Sequence, residues 1–228
     1  MTHPLSKINA NLMLSPLHYK TPARWAKQAL KDPLALLSDH AYLERKAASN
    51  VLEMFNRWPD ARPHFSAEQA PQPQDAGGGR PGDWSLVLAG VARDEARHLE
   101  MVLRLLERRG GRLQRLHKNT YANDLRTRVR AGQGKQEILD RLLVSALIEL
   151  RSCERFELLG AASGDRELST FYKGLAGSEA GHYQVFMKLA RKVLPPREVE
   201  ARWQDMLAAE AKIIQAQEPG PRIHSGVL

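Results

Sequence analysis

The sequence predicts an all-α protein built on a four-helix bundle, and three observations carry that prediction. Cap–proline pairs and glycines cut the chain into long segments. Four of those segments repeat their apolar residues at a helical period. Each of the four also sets a single carboxylate in the middle of its apolar stripe. A chain of 228 residues, 43% of them hydrophobic, is long enough for one well-buried core, and 1–228 reads as a single domain.

Residues 1–20 show no clear period and read as an irregular arm. Thr21-Pro22 pairs an N-cap residue with proline at the first helical position and opens a short helix to about Leu30. Asp32-Pro33 repeats the signal and opens the first long helix, which Pro59 stops after Trp58. Its stripe is Leu37, His40, Glu44, Ala47, Val51, Met54 and Phe55. Residues 60–82 turn to Pro, Gln, Ala and Gly and predict a flexible loop. Asp83 caps the second long helix, which runs to Gly110-Gly111 with the stripe Leu88, Val91, Glu95, His98, Val102 and Leu105.

A short basic helix over Tyr121–Arg130 follows Asn119-Thr120 and precedes Gly132-Gln133-Gly134. The third long helix covers Lys135–Ala162, with the stripe Leu139, Leu142, Ala146, Glu149, Cys153 and Phe156. After the turn Ser163-Gly164-Asp165 the fourth runs to Leu194, with Tyr172, Leu175, Glu179, His182, Phe186 and Leu189 on its stripe. Gly174, Gly177 and Gly181 inside it each cost ~0.8–1 kcal/mol relative to alanine. They predict either room beside the stripe or close helix packing. A last helix over Arg197–Gln217 gives way at Pro219 and Pro221 to a second irregular arm, 218–228.

The carboxylates are Glu44, Glu95, Glu149 and Glu179, and two of them are followed three residues on by a histidine, His98 and His182. Residues three apart share a helix face, and a buried charge without a partner costs several kcal/mol. One Glu from each of two helices and one Glu-x-x-His from each of two others is how ferritin-like bundles hold two metal ions. Two divalent cations would balance four carboxylates, and oxygen with imidazole ligands suits iron or manganese. The third helix also offers Glu154 and Glu157. Glu149 and Glu179 lie fifteen residues either side of Gly164 and so meet at one height. Glu154 would be displaced by roughly 7.5 Å at 1.5 Å per residue. His40, one turn before Glu44, reads as a core histidine bonded to a carbonyl or as a partner of Glu44.

Charge and cysteine usage narrow the function classes. Of the net charge of +8, the window 93–135 carries +7, with 12 basic residues against 5 acidic. Such a stretch recruits phosphate or simply solvates a helix face; Arg126, Arg128 and Arg130 are its nucleic-acid candidates. One cysteine excludes an internal disulfide and any cysteine-built metal cage and points to the reducing cytoplasm. No apolar run approaches the ~18 residues of a membrane span, and the N-terminus lacks the pattern of a signal peptide.

In four segments the chain resembles the bacterial tRNA-modifying di-iron hydroxylases: Tyr42-Leu43-Glu44-Arg45-Lys46-Ala47-Ala48, Asp94-Glu95-Ala96-Arg97-His98, Ile148-Glu149-Leu150-Arg151-Ser152-Cys153-Glu154-Arg155-Phe156, and Ser178-Glu179-Ala180-Gly181-His182. The third is the most distinctive, because generic bundle geometry does not demand Arg-Ser-Cys-Glu-Arg-Phe. The resemblance implies a ferritin-like bundle with added short helices at the N-terminus, between helices two and three, and at the C-terminus. It implies two iron ions held by Glu44, Glu95, His98, Glu149, Glu179 and His182, with O₂ as co-substrate and electrons from an external reductase or ferredoxin. The substrate it implies is the anticodon stem-loop of tRNA carrying 2-methylthio-isopentenyladenosine, hydroxylated on the isopentenyl group, with no membrane involved. Two other readings share part of this residue pattern. A ferroxidase or peroxidase bundle would use the same ligands without nucleic acid, and a non-enzymatic helical RNA-binding module would hold no metal.

Overall fold

The computed structural model describes residues 15–59, 83–115, 117 and 120–228. The loop expected over 60–82, the arm over 1–14, Asn119 and the side chain of Asp83 lie outside the described residues. Seven helices are present among those described: α1 (Arg24–Ala29), α2 (Pro33–Arg57), α3 (Asp83–Arg108), α4 (Tyr121–Arg126), α5 (Lys135–Ala162), α6 (Arg166–Val193) and α7 (Pro196–Gln215). The only pairing of strand type among them is an isolated bridge between Pro219 and Gly226.

Local chemistry sets the helix ends. Asp32 accepts from the Ala35 amide at 3.0 Å ahead of Pro33, and Asp165 accepts from Leu168 at 3.1 Å to open α6. Gly110 takes a left-handed φ of 74° after α3, and the next amide, Gly111, returns to the Leu106 carbonyl at 2.9 Å.

Two antiparallel hairpins, α2–α3 and α5–α6, form the bundle. Along every long helix the apolar stripe changes partner at its glutamate. Leu36, Leu37 and Ala41 join one buried cluster and Val51 and Met54 another, with Glu44 between. The same division brackets Glu95 (Leu88 and Val91 against Val102 and Leu105), Glu149 and Glu179. The core is therefore two apolar layers with one polar layer between them.

Helix α5 also touches α1, α4 and α7 and is covered on nearly every side. That is why Arg151, Glu154 and Arg155 are buried despite their charge. Arg151 donates to both Glu210 oxygens at 2.8 Å, and also to Glu154 and to the Tyr19 carbonyl. Arg155 lies with its guanidinium 4.0 Å from the centre of the Trp25 ring, and burial pushes its pKa down to about 9.

Three expectations change. The basic helix stops at Arg126 rather than Arg130, because the Arg130 amide donates to Asp140 of α5 at 2.9 Å and leaves the helical path. Segment 218–228 is irregular in backbone but is packed inside: Ile223, His224 and Ser225 are buried, and the Ile223 amide donates to Asp39 at 2.8 Å. Gly226 sits so close to Gln217 that a Cβ would lie 1.8 Å from its carbonyl oxygen. Gly174, Gly177 and Gly181 face outward with nothing within 4 Å of a Cβ, so they neither open room beside the stripe nor pack against a neighbour among the described residues.

Candidate metal centre

The polar layer brings all six predicted residues together. Glu44, Glu95, His98 and Glu179 form one four-donor group, and Glu95, Glu149, Glu179 and His182 form a second. Within each group the donor atoms lie within 4.8 Å of one another, and every residue is buried. Glu95 and Glu179 belong to both groups, while Glu44 with His98 and Glu149 with His182 complete one each. The hairpin register that favoured Glu149 is the one observed. Glu154 is occupied elsewhere, accepting from the Thr21 amide at 3.0 Å and hydroxyl at 2.6 Å. Glu157 is half-buried outside both groups, its pKa pushed up to about 7 by burial and by the Glu154 charge.

The imidazoles turn Nδ1 toward the carboxylates. His98 Nδ1 is 3.4 Å from Glu179 and 3.6 Å from Glu44, and His182 Nδ1 is 2.6 Å from Glu95 Oε1. The last pair is close but not angled as a hydrogen bond. Glu95 Oε1, Glu179 Oε1, His98 Nδ1 and His182 Nδ1 are all buried without a hydrogen-bond partner. Buried polar atoms are almost always partnered. Four such orphans facing one another at ligand spacing are what a divalent cation pair would satisfy, so the donor set fits a metal site.

Electrostatics point the same way. Burial drives Glu149 and Glu179 well above the carboxylate range, with the neighbouring carboxylates adding to it, and lifts Glu95 to about 7. Glu44 differs. Burial opposes its charge, but the short contact with His40 and the His98 ring 3.6 Å away outweigh burial and hold it well below the usual range. His98 and His182 are raised, their loss of hydration outweighed by Glu44 and Glu95 respectively. Without a cation the cluster must therefore share protons.

His40 proves to be the partner of Glu44, with Nε2 2.6 Å from Glu44 Oε1 and its ring packed against Phe156 and Tyr172. Cys153 is buried beside the layer in neither group, its thiol pushed up to about 12 by burial, which marks a core residue. Among the basic candidates, Arg126 and Arg128 are exposed, whereas Arg130 is clamped on Asp140 by two side-chain bonds of 2.8 Å. Residues that spacing alone did not single out also gather near the layer. Asp94 approaches His182 Nε2 at 3.8 Å, and Lys46, Asn50 and His224 line a cleft together with Glu149.

A helical bundle whose two hairpins enclose a carboxylate–imidazole cluster is the architecture of the ferritin-like oxygenases. A solved structure from Synechococcus, described as protein 43 with aldehyde deformylating oxygenase activity, is 32% identical. It superposes with a TM-score of 0.78 over 92% of this chain and 96% of that one. Within this class the chain belongs to the tRNA-(MS2IO6A)-hydroxylase (MiaE) family, whose model matches residues 9–225. It is 37% identical to the tRNA 2-(methylsulfanyl)-N(6)-isopentenyladenosine(37) hydroxylase of Pseudomonas putida, covering 91% of this chain and 90% of that protein. The Salmonella typhimurium enzyme of the same name is 30% identical over 97% of this chain and 93% of its own length. Membership makes the chain an enzyme of the oxidoreductase class. No helix among the described residues is long and apolar enough to cross a membrane.

Proposed function

We propose that Glu44, Glu95, His98, Glu149, Glu179 and His182 hold two iron ions, and that the chain hydroxylates the isopentenyl group of 2-methylthio-isopentenyladenosine beside the anticodon of tRNA. The observation that carries the reading is the pair of buried donor groups with orphaned Oε1 and Nδ1 atoms, set in a chain of this family. The reaction inserts one oxygen atom of O₂ into a C–H bond and reduces the other to water. It consumes two electrons and two protons, with the electrons drawn from an external reductase or ferredoxin in the cytoplasm.

Bound iron supplies the O₂ activation that side chains cannot perform alone. The chain's own part is position and environment. Glu95 and Glu179 serve both donor groups, and Glu44 is oriented and kept ionised by His40. The imidazoles present Nδ1 inward, and the apolar layers above and below exclude water.

The test uses full-length protein loaded with iron, reduced, and exposed to O₂ with isopentenylated tRNA. One added oxygen in the modified nucleoside of the digest is expected. Glu95→Ala is expected to lose both the iron and the product. A protein that retains iron and consumes O₂ but leaves the nucleoside unchanged would be a ferroxidase or peroxidase. The likeness to the Synechococcus structure favours one second reading, oxygenation of an aldehyde, which the same assay decides with an aldehyde in place of tRNA.

A further inference from the structure

A cleft between α2, α4 and α5 has Glu149 among its lining residues. Its walls are apolar: Leu43, Ala47 and Val51 from α2, Ile148 from α5 and Phe186 from α6. The free volume is about 40 Å³, room for a few waters or the end of one aliphatic chain and far too little for a purine. The rim is polar and built. Asn50 donates to Ser145 of α5 at 3.1 Å and accepts from Arg126 of α4 at 3.4 Å, joining three helices around the opening.

Lys46 on the same rim is held in place. Its Nζ lies 3.0 Å from His117 Nδ1, and His117 Nε2 lies 2.8 Å from Asp39. A neutral ring that accepts from the ammonium and donates to the carboxylate satisfies both contacts. Burial and the Arg126 and Arg45 charges disfavour the Lys46 ammonium, and Asp39 favours it. Among the described residues neither Lys46 nor Arg126 has an ion-pair partner within 4.0 Å, and Arg45 lies over the Tyr42 ring. Two cations without an ion-pair partner, Lys46 and Arg126, at the rim of an apolar slot call for a polyanion that carries an apolar arm.

We infer that the cleft admits the isopentenyl chain end-on toward Glu149 while the adenine stays outside, and that Lys46 and Arg126, braced by Asn50, hold the adjacent backbone phosphates at the rim. This deepens the hydroxylase reading and rests on it. It explains selection for the modified nucleotide by two features at once: an aliphatic tail slim enough for the slot, and an RNA backbone positioned by the rim cations.

Two sets of variants of the full chain test it. Ala47→Leu, or the smaller Ala47→Val should the first not fold, narrows the slot. Product formation is expected to fall at least ~tenfold, with bound iron and tRNA affinity unchanged. Lys46→Glu and Arg126→Glu in metal-free protein are each expected to weaken tRNA binding by about tenfold and to lower the salt slope by roughly one. Wild-type turnover in the Ala47 variants would overturn the slot, and unchanged tRNA binding in both charge reversals would overturn the rim. If wild-type protein itself yields no hydroxylated nucleoside, the proposed function fails, while the binding measurements on metal-free protein still decide the rim.

Discussion

At the scale of single residues, His40 determines what kind of ligand Glu44 can be. Its Nε2 lies 2.6 Å from the carboxylate, and that bond, with His98, keeps Glu44 ionised where burial would protonate it. The other three carboxylates rise, because burial outweighs the partners they have, His182 at 2.6 Å from Glu95 included. Partners that orient a metal-ligating group affect affinity nearly as strongly as the ligands. His40→Ala is therefore expected to weaken iron retention by about 10–100-fold, while His40→Gln, which can still donate to Glu44, recovers part of it. Titration of metal-free protein with Fe(II) measures both, and equal affinities for the two variants would remove His40 from this role. His40 was visible as a polar residue on an apolar stripe, one turn before Glu44. Its bond was not, because i,i+4 spacing allows a contact and only the rotamer, set here by Phe156 and Tyr172, makes it.

At the scale of elements, the cap–proline signal was legible at Asp32-Pro33 but misled at Thr21-Pro22, where the Thr21 hydroxyl donates to Glu154 and the helix opens at Arg24. Ends and arms fixed from elsewhere in the fold were not legible. The end of α4 depends on Asp140, which lies in another helix and draws the Arg130 amide and guanidinium away. Segment 218–228 has no period because single contacts hold it, Ile223 to Asp39 and Ser225 to Trp25. Asp140 also binds Arg202 at 2.8 Å and so ties the segment after α4 to α5 and α7. Burial opposes its charge, but the two arginines win and its pKa falls below 3.8. A lowered carboxylate contributes stability that is present above the unfolded pKa near 4 and is lost as pH falls through the folded value. Asp140→Asn leaves two arginines uncompensated and is expected to destabilise by about 2–4 kcal/mol at pH 7. The difference from wild type should shrink toward pH 3 in urea unfolding. A constant difference across that range would show that the loss is packing rather than charge.

For the whole molecule, the central event is four helices carrying four carboxylates into one dry layer. This convergence was readable in advance because each glutamate interrupts a helical stripe that must face the core; the sharing of Glu95 and Glu179 between two donor groups was not, since it depends on how the hairpins cross. The metal-free fold has to keep protons in that layer. Glu95, Glu149 and Glu179 are raised, so the unfolded chain ionises them first, and their protonation supports the fold only at low pH. His98 and His182 are raised too, and their contribution is present below the unfolded value of 6.5 and lost as pH climbs through the folded one. Glu44 runs the other way, its contribution complete above 4.5. The five raised groups, joined by Glu157 and opposed by Glu44 and by His224, whose burial lowers its pKa, give a metal-free Tm that falls between about pH 5 and pH 8. Bound Fe(II) or Mn(II) replaces the protons as counter-charge, so metal should raise the Tm most at pH 8 and release protons into a weakly buffered solution. Anaerobic thermal scans with and without metal, alongside a pH indicator, measure both effects. A Tm at pH 8 indifferent to metal, with no proton release, would mean that the cluster is a proton-sharing core and nothing more.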